Sequence, residues 1–443
     1  MPPAPSFSTA LRYWLKLGFI SFGGPAGQIA MMHAELVERR RWVSEQRFLH
    51  ALNYCMLLPG PEATQLAVYI GWLLHRARGG IAAGVLFLLP SLLILMGLAW
   101  IYLAFGHLPA IAAVLYGIKP AVVALVLAAT WRIGRRTLKN ALLAGLACAA
   151  FLAIMLDVPF PAVVLGAAVL GWLGARQRPE AFMPGAPGHT KASSTLRGAV
   201  IDDHTPTPPH ARFTWGKLAA ASALGVAIMA ASWLAVAALT GLTNPLAQMG
   251  WFFTKAALLT FGGAYAVLPY VYQGGVETHG WLTAAQMIDG LALGETTPGP
   301  LIMVNAFVGF VGGWTHLVLG NPVASGMAGA FVAAWFTFVP SFIFILAGGP
   351  LVEATRGNIR MTAPLTAISA AVVGVIASLA VFFGNHVFHG GGQWDWAAVA
   401  IAAVAAWALL RWQTGPVKLL AGCAIVGLVL HYAFGINALV QFK

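Results

Sequence analysis

The sequence predicts an all-α polytopic membrane protein made of two inverted-topology repeats, with broken or re-entrant helices and about 13 hydrophobic segments. Three observations predict this class. Hydrophobic residues make up 59% of the 443-residue chain, and charged residues only 9%. A series of motifs occurs twice at a fixed spacing, and the basic loops of the two copies alternate in opposite phase.

The low charge content excludes a soluble globular domain, whose surface needs about 25% charged residues. Apolar runs long enough for membrane helices recur along the chain. They are Ile81–Phe105, Ala110–Thr130, Leu218–Leu239, Met327–Leu346, Ala363–Phe383 and Leu419–Phe434. The net charge of +12 comes from Lys and Arg that lie between these runs. This placement indicates that the positive charges orient the chain in the bilayer and argues against nucleic-acid binding. Cys55, Cys148 and Cys423 lie in apolar segments at unrelated spacings. We therefore expect no disulfide framework, no metal and no cofactor.

An internal duplication organises the chain. Lys16, Phe22-Gly23-Gly24 and Pro59-Gly60-Pro61 recur as Lys255, Phe261-Gly262-Gly263 and Pro298-Gly299-Pro300, all at an offset of 239. Further on, Pro90-Ser91 matches Pro340-Ser341 at an offset of 250. We predict a first repeat over 1–175 and a polar, disordered-looking cytoplasmic linker over 176–214. An extra connecting transmembrane helix over 215–240 and a second, inverted repeat over 247–443 follow.

The loop charges indicate the inversion. Basic residues cluster at Arg39–Arg41, Arg76–Arg78 and Arg132–Lys139, whereas the equivalent loops of the second half have no Lys or Arg. Cytoplasmic loops carry the excess of Lys and Arg, so the halves have opposite orientation, as in many secondary transporters. About 34 residues separate the first two clusters, too few for two crossings. This predicts a re-entrant hairpin with Pro59-Gly60-Pro61 at its tip, and the break at Gly23-Gly24-Pro25 suggests a second one.

Two helix breaks in each half are predicted to form the substrate site. A helix that restarts after a break presents free N–H groups and a positive dipole end, which suits an anion. The alternative is that the glycines allow close helix packing and the prolines only kink a helix. The predicted substrate-binding residues are Lys16, Ser21, Gly23, Gly24, Pro25, Gly60, Pro61, Lys255, Thr260, Gly262, Gly263, Thr296, Thr297, Gly299 and Pro300.

Four ionisable residues enter this prediction. Lys16 and Lys255 lie seven residues, or two helical turns, before a glycine pair, which places them on the face that leads to the break. Their alternative role is to extend to the membrane interface. Glu62 and Glu295 flank the Pro-Gly-Pro motifs and are predicted to carry protons. Their alternative role is to cap a helix or to pair with a lysine.

At these motifs the chain resembles the chromate ion transporter (CHR) family in its long two-domain form. The matching elements are Phe22-Gly23-Gly24-Pro25 with its repeat, Pro59-Gly60-Pro61 and Glu295–Pro300. The resemblance implies export of chromate across the bacterial cytoplasmic (inner) membrane, driven by ion gradients and conferring chromate resistance. Some members look like sulfate-related transporters. The second glycine pair is followed by Ala264 instead of proline, so the halves should contribute differently.

Without the family resemblance, the residues predict only a small oxyanion as the substrate and the lipid bilayer as the surroundings of the protein. A passive anion channel and a sulfate uptake carrier stay open as alternatives. An enzyme is disfavoured, because no cluster of carboxylates or histidines is present to activate a nucleophile. The sequence leaves the oligomeric state open, and a homodimer is among the assemblies it allows.

Overall fold

The computed structural model describes residues 4–22, 24–177, 198–203, 205–206, 208–261, 263–354, 363–389, 393–412 and 414–434. Over these ranges the chain is helical, with no strand and one isolated bridge between Val43 and Ile201. The α-helices described there are α1 Phe7–Ile20, α2 Gly24–His33, α3 Glu45–Cys55, α4 Glu62–Phe105, α5 Pro109–Thr137, α6 Ala141–Met155, α7 Phe160–Gln177, α8 Trp215–Thr240, α9 Pro245–Leu259, α10 Ala264–Tyr272, α11 Ala284–Thr296, α12 Val304–His316, α13 Pro322–Ala354, α14 Ala363–Phe388, α15 Trp396–Arg411 and α16 Pro416–Phe434.

Six of the described helices are long and apolar enough to cross a membrane, namely α4, α5, α8, α13, α14 and α16. Each contains one of the six apolar runs found in the sequence. Large apolar side chains point outward from the bundle, among them Leu165, Trp215 and Leu234. Water would not solvate such a surface, whereas lipid does. The predicted class, an all-α polytopic membrane protein, is confirmed.

One end of the molecule, called the linker end below, carries the described part of the linker. There a ring nitrogen (Nε2) of His210 lies 3.1 Å from the backbone oxygen of Trp72 in α4. Phe7, at the start of α1, contacts His75 with their ring centroids 5.5 Å apart. The isolated bridge joins the segment before α3 to the linker at the same end. The starts of α1 and α3 and the residues around His75 therefore lie together.

Helix α4 is bent back on itself at His75 and Arg76, whose backbone angles are not helical. Its two arms pack closely, and a Cβ on Gly71 would lie 2.5 Å from the carbonyl oxygen of Gly79. Helix α3 starts at the linker end, and the short arm of α4 returns there. Residues 45–74 therefore form the re-entrant hairpin predicted from the loop charges, with Pro59-Gly60-Pro61 between its two helices.

Helices α1 and α2 form a second hairpin that opens at the linker end. After α2 the chain makes a π-helical turn, Ala34–Arg39, and Trp42 then contacts Tyr13 of α1 with ring centroids 5.6 Å apart. The π-helical turn Gln273–Thr278 and a contact between Phe252 and Trp281, 5.3 Å between centroids, repeat this arrangement at the offset of 239.

The second half opens at the opposite end of the molecule, called the far end below. Helix α8 starts beside the linker and carries the chain through 26 residues before α9 begins. The hairpins α9–α10 and α11–α12 thus enter from the far end, which is the inverted arrangement. The boundaries of the four predicted parts stay predictions.

The remaining helices interlock the halves. Helix α5 packs against α15 and α16, and α14 packs against α6 and α7. The approach is close, because a Cβ on Gly117 in α5 would lie 2.0 Å from the carbonyl oxygen of Cys423 in α16. Small residues allow such contacts between membrane helices. One large hydrophobic core therefore contains residues of both halves.

The described part of the linker is folded against the helices, in contrast to the disordered-looking segment expected from its composition. Ala199, Ile201 and Ala211 are buried. The hydroxyl of Ser44, the N-cap of α3, donates to Asp203 at 2.5 Å. Burial of these apolar side chains and backbone pairing with the segment before α3 hold the described residues of this segment in place.

Candidate substrate site

The two Pro-Gly-Pro motifs each bond to the broken helix of the opposite half. The backbone N–H of Gly60 donates to the carbonyl oxygen of Thr260 at 2.7 Å, and that of Gly299 donates to Ser21 at 2.8 Å. Gly60 and Gly299 are equivalent in the repeat, and so are Ser21 and Thr260. We call these two symmetric contacts the crossings. They bring the two predicted motifs of each half together with those of the other half.

Glycine is required at both crossings. The backbone φ is +120° at Gly60 and +110° at Gly299, angles that residues with a Cβ rarely adopt. A Cβ on Gly60 would lie 2.4 Å from the hydroxyl oxygen of Ser341, and one on Gly299 would lie 2.6 Å from the Cβ of Ser91. Ser91 and Ser341 are themselves repeat equivalents. The glycines therefore serve a close approach between halves as well as a backbone break.

Two buried glutamines support the crossings. The side-chain amide of Gln28 donates to the carbonyl oxygen of Gly299 at 2.5 Å, and that of Gln65 donates to Pro59 at 2.7 Å. Both glutamines are fully buried. The second half has valine at the equivalent positions, so this support comes from the first half only. Sequence reasoning missed them, although an amide inside an apolar segment is itself a signal of polar contacts.

Helices that begin at the breaks have uncapped, buried starts. Pro61 before α4, Pro300 before the 3-10 turn that leads into α12, and Gly263 before α10 give no side-chain cap. The residues that follow are buried at Ala63, Leu301 and Ala264. Backbone N–H groups of a first helical turn lack partners within the helix. These ends therefore present donors and a partial positive charge inside the protein, as an anion site requires.

Several buried polar atoms beside the crossings have no hydrogen-bond partner. They are the hydroxyls of Ser21, Thr64 and Ser91 and the side-chain carbonyl oxygens of Gln28 and Gln65. An unsatisfied buried polar group costs about 1–3 kcal/mol, so such a set is the expected signature of a site that binds a polar ligand. Ser21 was predicted from the sequence, whereas Thr64 and Ser91 were not.

The predicted threonines are already engaged in the structure. Each hydroxyl donates to a carbonyl oxygen of its own helix, Thr260 to Ala256 at 2.7 Å, Thr296 to Leu293 at 2.9 Å and Thr297 to Gly294 at 2.9 Å. Their hydrogens are thus not available to an oxyanion in this conformation. Pro25 lies half-buried in the first turn of α2, and Gly24 and Gly263 have positive φ. Gly23 and Gly262 lie outside the described residues.

The two predicted lysines lie on the outer surface. Lys16 and Lys255 are both exposed, and the ammonium group of Lys255 lies 5.8 Å from the ring centroid of Trp251. In α1 the buried stripe contains Tyr13 and Leu17, and Lys16 falls beside it on the face that carries exposed apolar side chains. This placement matches the alternative, in which the lysine stems extend along the surface towards an interface.

The two predicted proton carriers lie at the breaks. Glu295 is buried and accepts a hydrogen bond from the hydroxyl of Tyr265, in the first turn of α10. Glu62 is the first residue of α4 and is half-buried. Arg132 acts electrostatically on Glu295, and Arg136 acts on Glu62. Both arginines are exposed and one turn apart in α5, so one face of this helix carries both positive charges.

Two buried ion pairs join the halves, and sequence reasoning missed both. Lys119 and Asp289 lie 3.5 Å apart, and Arg47 and Glu353 lie 3.3 Å apart. Each pair spans a large distance in sequence, so no local motif marks it. Among the described residues, no group of three His, Cys, Asp or Glu could hold a metal ion.

Known proteins show similarity to this chain over most of its length. The family model described as chromate transporter matches residues 9–172 and 247–428. A chromate transport protein of Pseudomonas aeruginosa is 34% identical, covering 86% of this chain and 82% of the relative. One of Cupriavidus metallidurans is 27% identical, with coverages of 97% and 94%, and a probable chromate transport protein of Synechococcus elongatus is 29% identical, with 87% of each chain covered.

No solved structure shows significant similarity to this chain. The two matched stretches contain both helix breaks of each half, and therefore the backbone donors and acceptors of the two crossings. The family model covers well over half of the sequence, and the chain belongs to the chromate transporter family.

Proposed function

We propose that the protein is a secondary active transporter that exports chromate across the bacterial cytoplasmic membrane and so confers chromate resistance. The observation that carries the proposal is the pair of crossings, where uncapped buried helix starts and unpartnered hydroxyls come together. The names of the similar proteins supply chromate as the substrate. The oxyanion site and its members Ser21, Gly60 and Gly299 are part of this proposal.

The chemistry of the site suits a tetrahedral dianion. Chromate presents four oxygens that accept hydrogen bonds, and the site offers N–H groups of helix starts and the hydroxyls of Ser21, Thr64 and Ser91. Each helix start also contributes a partial charge of about +0.5. Neutral donors and dipoles can therefore bind the dianion without a buried arginine or lysine. Sulfate has the same shape and charge, and we include sulfate-like oxyanions among the substrates.

The membrane potential favours export of a dianion. One elementary charge that crosses 100 mV gains about 2.3 kcal/mol, so a dianion that leaves a negative cytoplasm gains about twice that. A passive channel would use the same driving force. Our proposal differs from a channel by assigning Glu62 and Glu295 as proton carriers, which couple the anion to the proton gradient as well.

We propose that transport proceeds by alternating access. The hairpins of the first half open at the linker end, those of the second half open at the far end, and the crossings lie where the two sets meet. Rocking of inverted halves about a shared site is the common mechanism of transporters built in this way. The crossings keep the tips together while the outer parts of the hairpins move apart.

The site is tested by removing its free hydroxyls without disturbing the backbone. Ser21→Ala and Ser91→Ala should each raise the KM for chromate in proteoliposomes about tenfold or more, because a hydrogen bond to a charged group contributes about 1.5–3 kcal/mol. Ser378→Ala is the matched control, since that buried hydroxyl donates to Val375 in its own helix. If all three variants keep the wild-type KM, the crossings are not the oxyanion site.

Direction, coupling and selectivity need a second set of measurements. Inverted membrane vesicles should accumulate chromate when a pH gradient is applied, and right-side-out vesicles should not. Flux that is unchanged by the pH gradient at constant membrane potential would favour the channel. Competition by sulfate, molybdate and phosphate then defines the selectivity, and net sulfate uptake by whole cells would favour the sulfate carrier.

A further inference from the structure

Two clusters of buried charged and hydroxyl groups link the halves away from the crossings. The linker-end latch consists of Arg47, Tyr69 and Glu353: the guanidinium lies 3.3 Å from the carboxylate, which also accepts from the tyrosine hydroxyl. The far-end latch consists of Tyr102, Lys119 and Asp289. Its ammonium lies 3.5 Å from the carboxylate, and its tyrosine hydroxyl donates to the same oxygen at 2.9 Å.

Both latches are sealed from solvent. The charged side chains are 3% and 2% exposed at the linker end and 4% and 1% exposed at the far end. In Asp289 the second carboxylate oxygen is buried without a hydrogen-bond partner. Burial of charges is costly even when they are paired, and a hydrophobic pair of similar volume would be as stable or more so. Ionisable groups kept inside a membrane bundle therefore indicate a role in function.

The two latches occupy corresponding places in the inverted repeats. Each joins the first helix of a Pro-Gly-Pro hairpin, α3 or α11, to the outer end of the long helix of the other half, α13 or α4. At the linker end His50 of α3 also contacts the backbone oxygen of Val352, 2.9 Å away. At the repeat offsets of 239 and 250, His50 is equivalent to Asp289 and Val352 is equivalent to Tyr102. The contact between His50 and Val352 at the linker end is therefore the repeat equivalent of the hydrogen bond between Tyr102 and Asp289 at the far end.

We propose that the two latches are the two gates of the transport cycle, an inference that rests on the proposed transport function. The hairpin helices α3 and α11 run directly into the Pro-Gly-Pro tips, and Asp289 lies eight positions before Thr297. Moving the outer end of α11 away from α4 opens a path from the far end to the crossings. Moving α3 away from α13 opens a path from the linker end. With both latches closed, the structure is the occluded state.

An ion pair is physically suited to such a gate. Closed, its two charges stabilise each other in a dry environment. Open, each charge is hydrated by the water that enters, which offsets the loss of the partner. The two states therefore differ by little free energy, as a reversible gate requires. A purely apolar contact would instead expose hydrocarbon surface to water on every opening.

The gates are tested by access to a buried reporter, with no need for chromate. In a background that replaces Cys55, Cys148 and Cys423 with alanine, Ser21→Cys places a thiol at a crossing, where the native side chain is fully buried. A membrane-impermeant thiol reagent is applied to vesicles of both orientations, and protease cleavage of the linker identifies the side that carries the linker end.

Each broken latch should open one side only. Asp289→Asn should raise the labelling rate at least tenfold from the far end and leave it unchanged from the linker end. Glu353→Gln should do the reverse. Equal labelling from both sides, or no change in either variant, would overturn the proposal. Since the readout is independent of chromate, one-sided labelling in a protein that moves no chromate would retain the gates and reject the proposed substrate.

Charge-swapped pairs provide the control for folding. Lys119→Asp combined with Asp289→Lys should return labelling to the low level of the parent, because the ion pair is restored in reverse. Arg47→Glu combined with Glu353→Arg should do so at the linker end. If a single variant fails to give a monodisperse protein, Tyr102→Phe, which keeps both charges, should still raise labelling from the far end. Unchanged labelling in Tyr102→Phe and in the remaining single variants would reject the gates.

Discussion

A methyl group at either crossing should disable the protein. In Gly60→Ala the added Cβ would lie 2.4 Å from the hydroxyl oxygen of Ser341, on a residue whose φ is +120°. The backbone conformation costs a residue with a Cβ about 1–3 kcal/mol. Relief of the overlap costs about 1 kcal/mol more, because the Ser341 hydroxyl and the Gln65 amide must move apart and lose their hydrogen bond. Even the lower end of the combined free-energy cost reduces the population of molecules with an intact crossing about 30-fold. Gly299→Ala should behave in the same way against Ser91.

The assay measures chromate flux into proteoliposomes together with the melting temperature of the purified protein. Gly97→Ala is the matched control, because this glycine of α4 has no atom within 4 Å of the Cβ position. Gly60→Ala combined with Ser341→Gly removes the overlap with Ser341 and keeps both the backbone strain and the 2.8 Å approach to the side-chain nitrogen of Gln65, so it should recover part of the lost flux. The reasoning is refuted if Gly60→Ala transports as well as Gly97→Ala, or if Ser341→Gly recovers nothing.

Three further predictions address groups outside the crossings. Lys16→Met and Lys255→Met should keep chromate flux within about twofold of the parent, because these exposed side chains contribute little to stability or to substrate binding. A larger loss of flux would indicate that the lysines take part in substrate binding. Glu295→Gln should abolish flux driven by a pH gradient while chromate–chromate exchange persists; loss of exchange as well would reject a role confined to coupling. Burial lowers the pKa of His210 below its ordinary value of 6.5, so docking of the linker should be strongest above about pH 6.5 and weaken as the pH falls. The charged groups that act on His210 are Arg76, Lys217 and Glu353. Hydrogen exchange of residues 198–211 at about pH 7.5 and 5.5 measures this effect, and His210→Phe should remove the pH dependence.

Much of the architecture could be predicted because the repeat is written into the sequence. The offset of 239 relates π-helical turns, aromatic contacts and crossings that are equivalent in the structure. The spacing of basic loops predicted a re-entrant hairpin, and the bend at His75 and Arg76 realises it. The docked part of the linker was not predicted, because its polar composition outweighs the few apolar residues, such as Ile201, that anchor it.

The site was predicted in its backbone and less well in its side chains. Glycine and proline motifs reveal where a helix must break, since their conformational limits are local. The position of Lys16 depends instead on which face of α1 is buried. The apolar stripe through Tyr13 and Leu17 could have shown that Lys16 lies beside that face. The ion pairs of Asp289 and Glu353 depend on packing between halves, which a single sequence does not display.

The crossings also have a consequence for synthesis of the chain in the cell. The N–H of Gly60 finds its acceptor at Thr260, 200 residues later in the sequence. While the ribosome is still making that stretch, the first hairpins sit in the bilayer with an unsatisfied backbone group at their tip, which is unfavourable in a lipid environment. Insertion of α9 brings Thr260 into place and completes the bond. Biogenesis should therefore favour rapid delivery of the second half, and a nascent chain arrested before α9 should be a preferred target of membrane quality-control proteases.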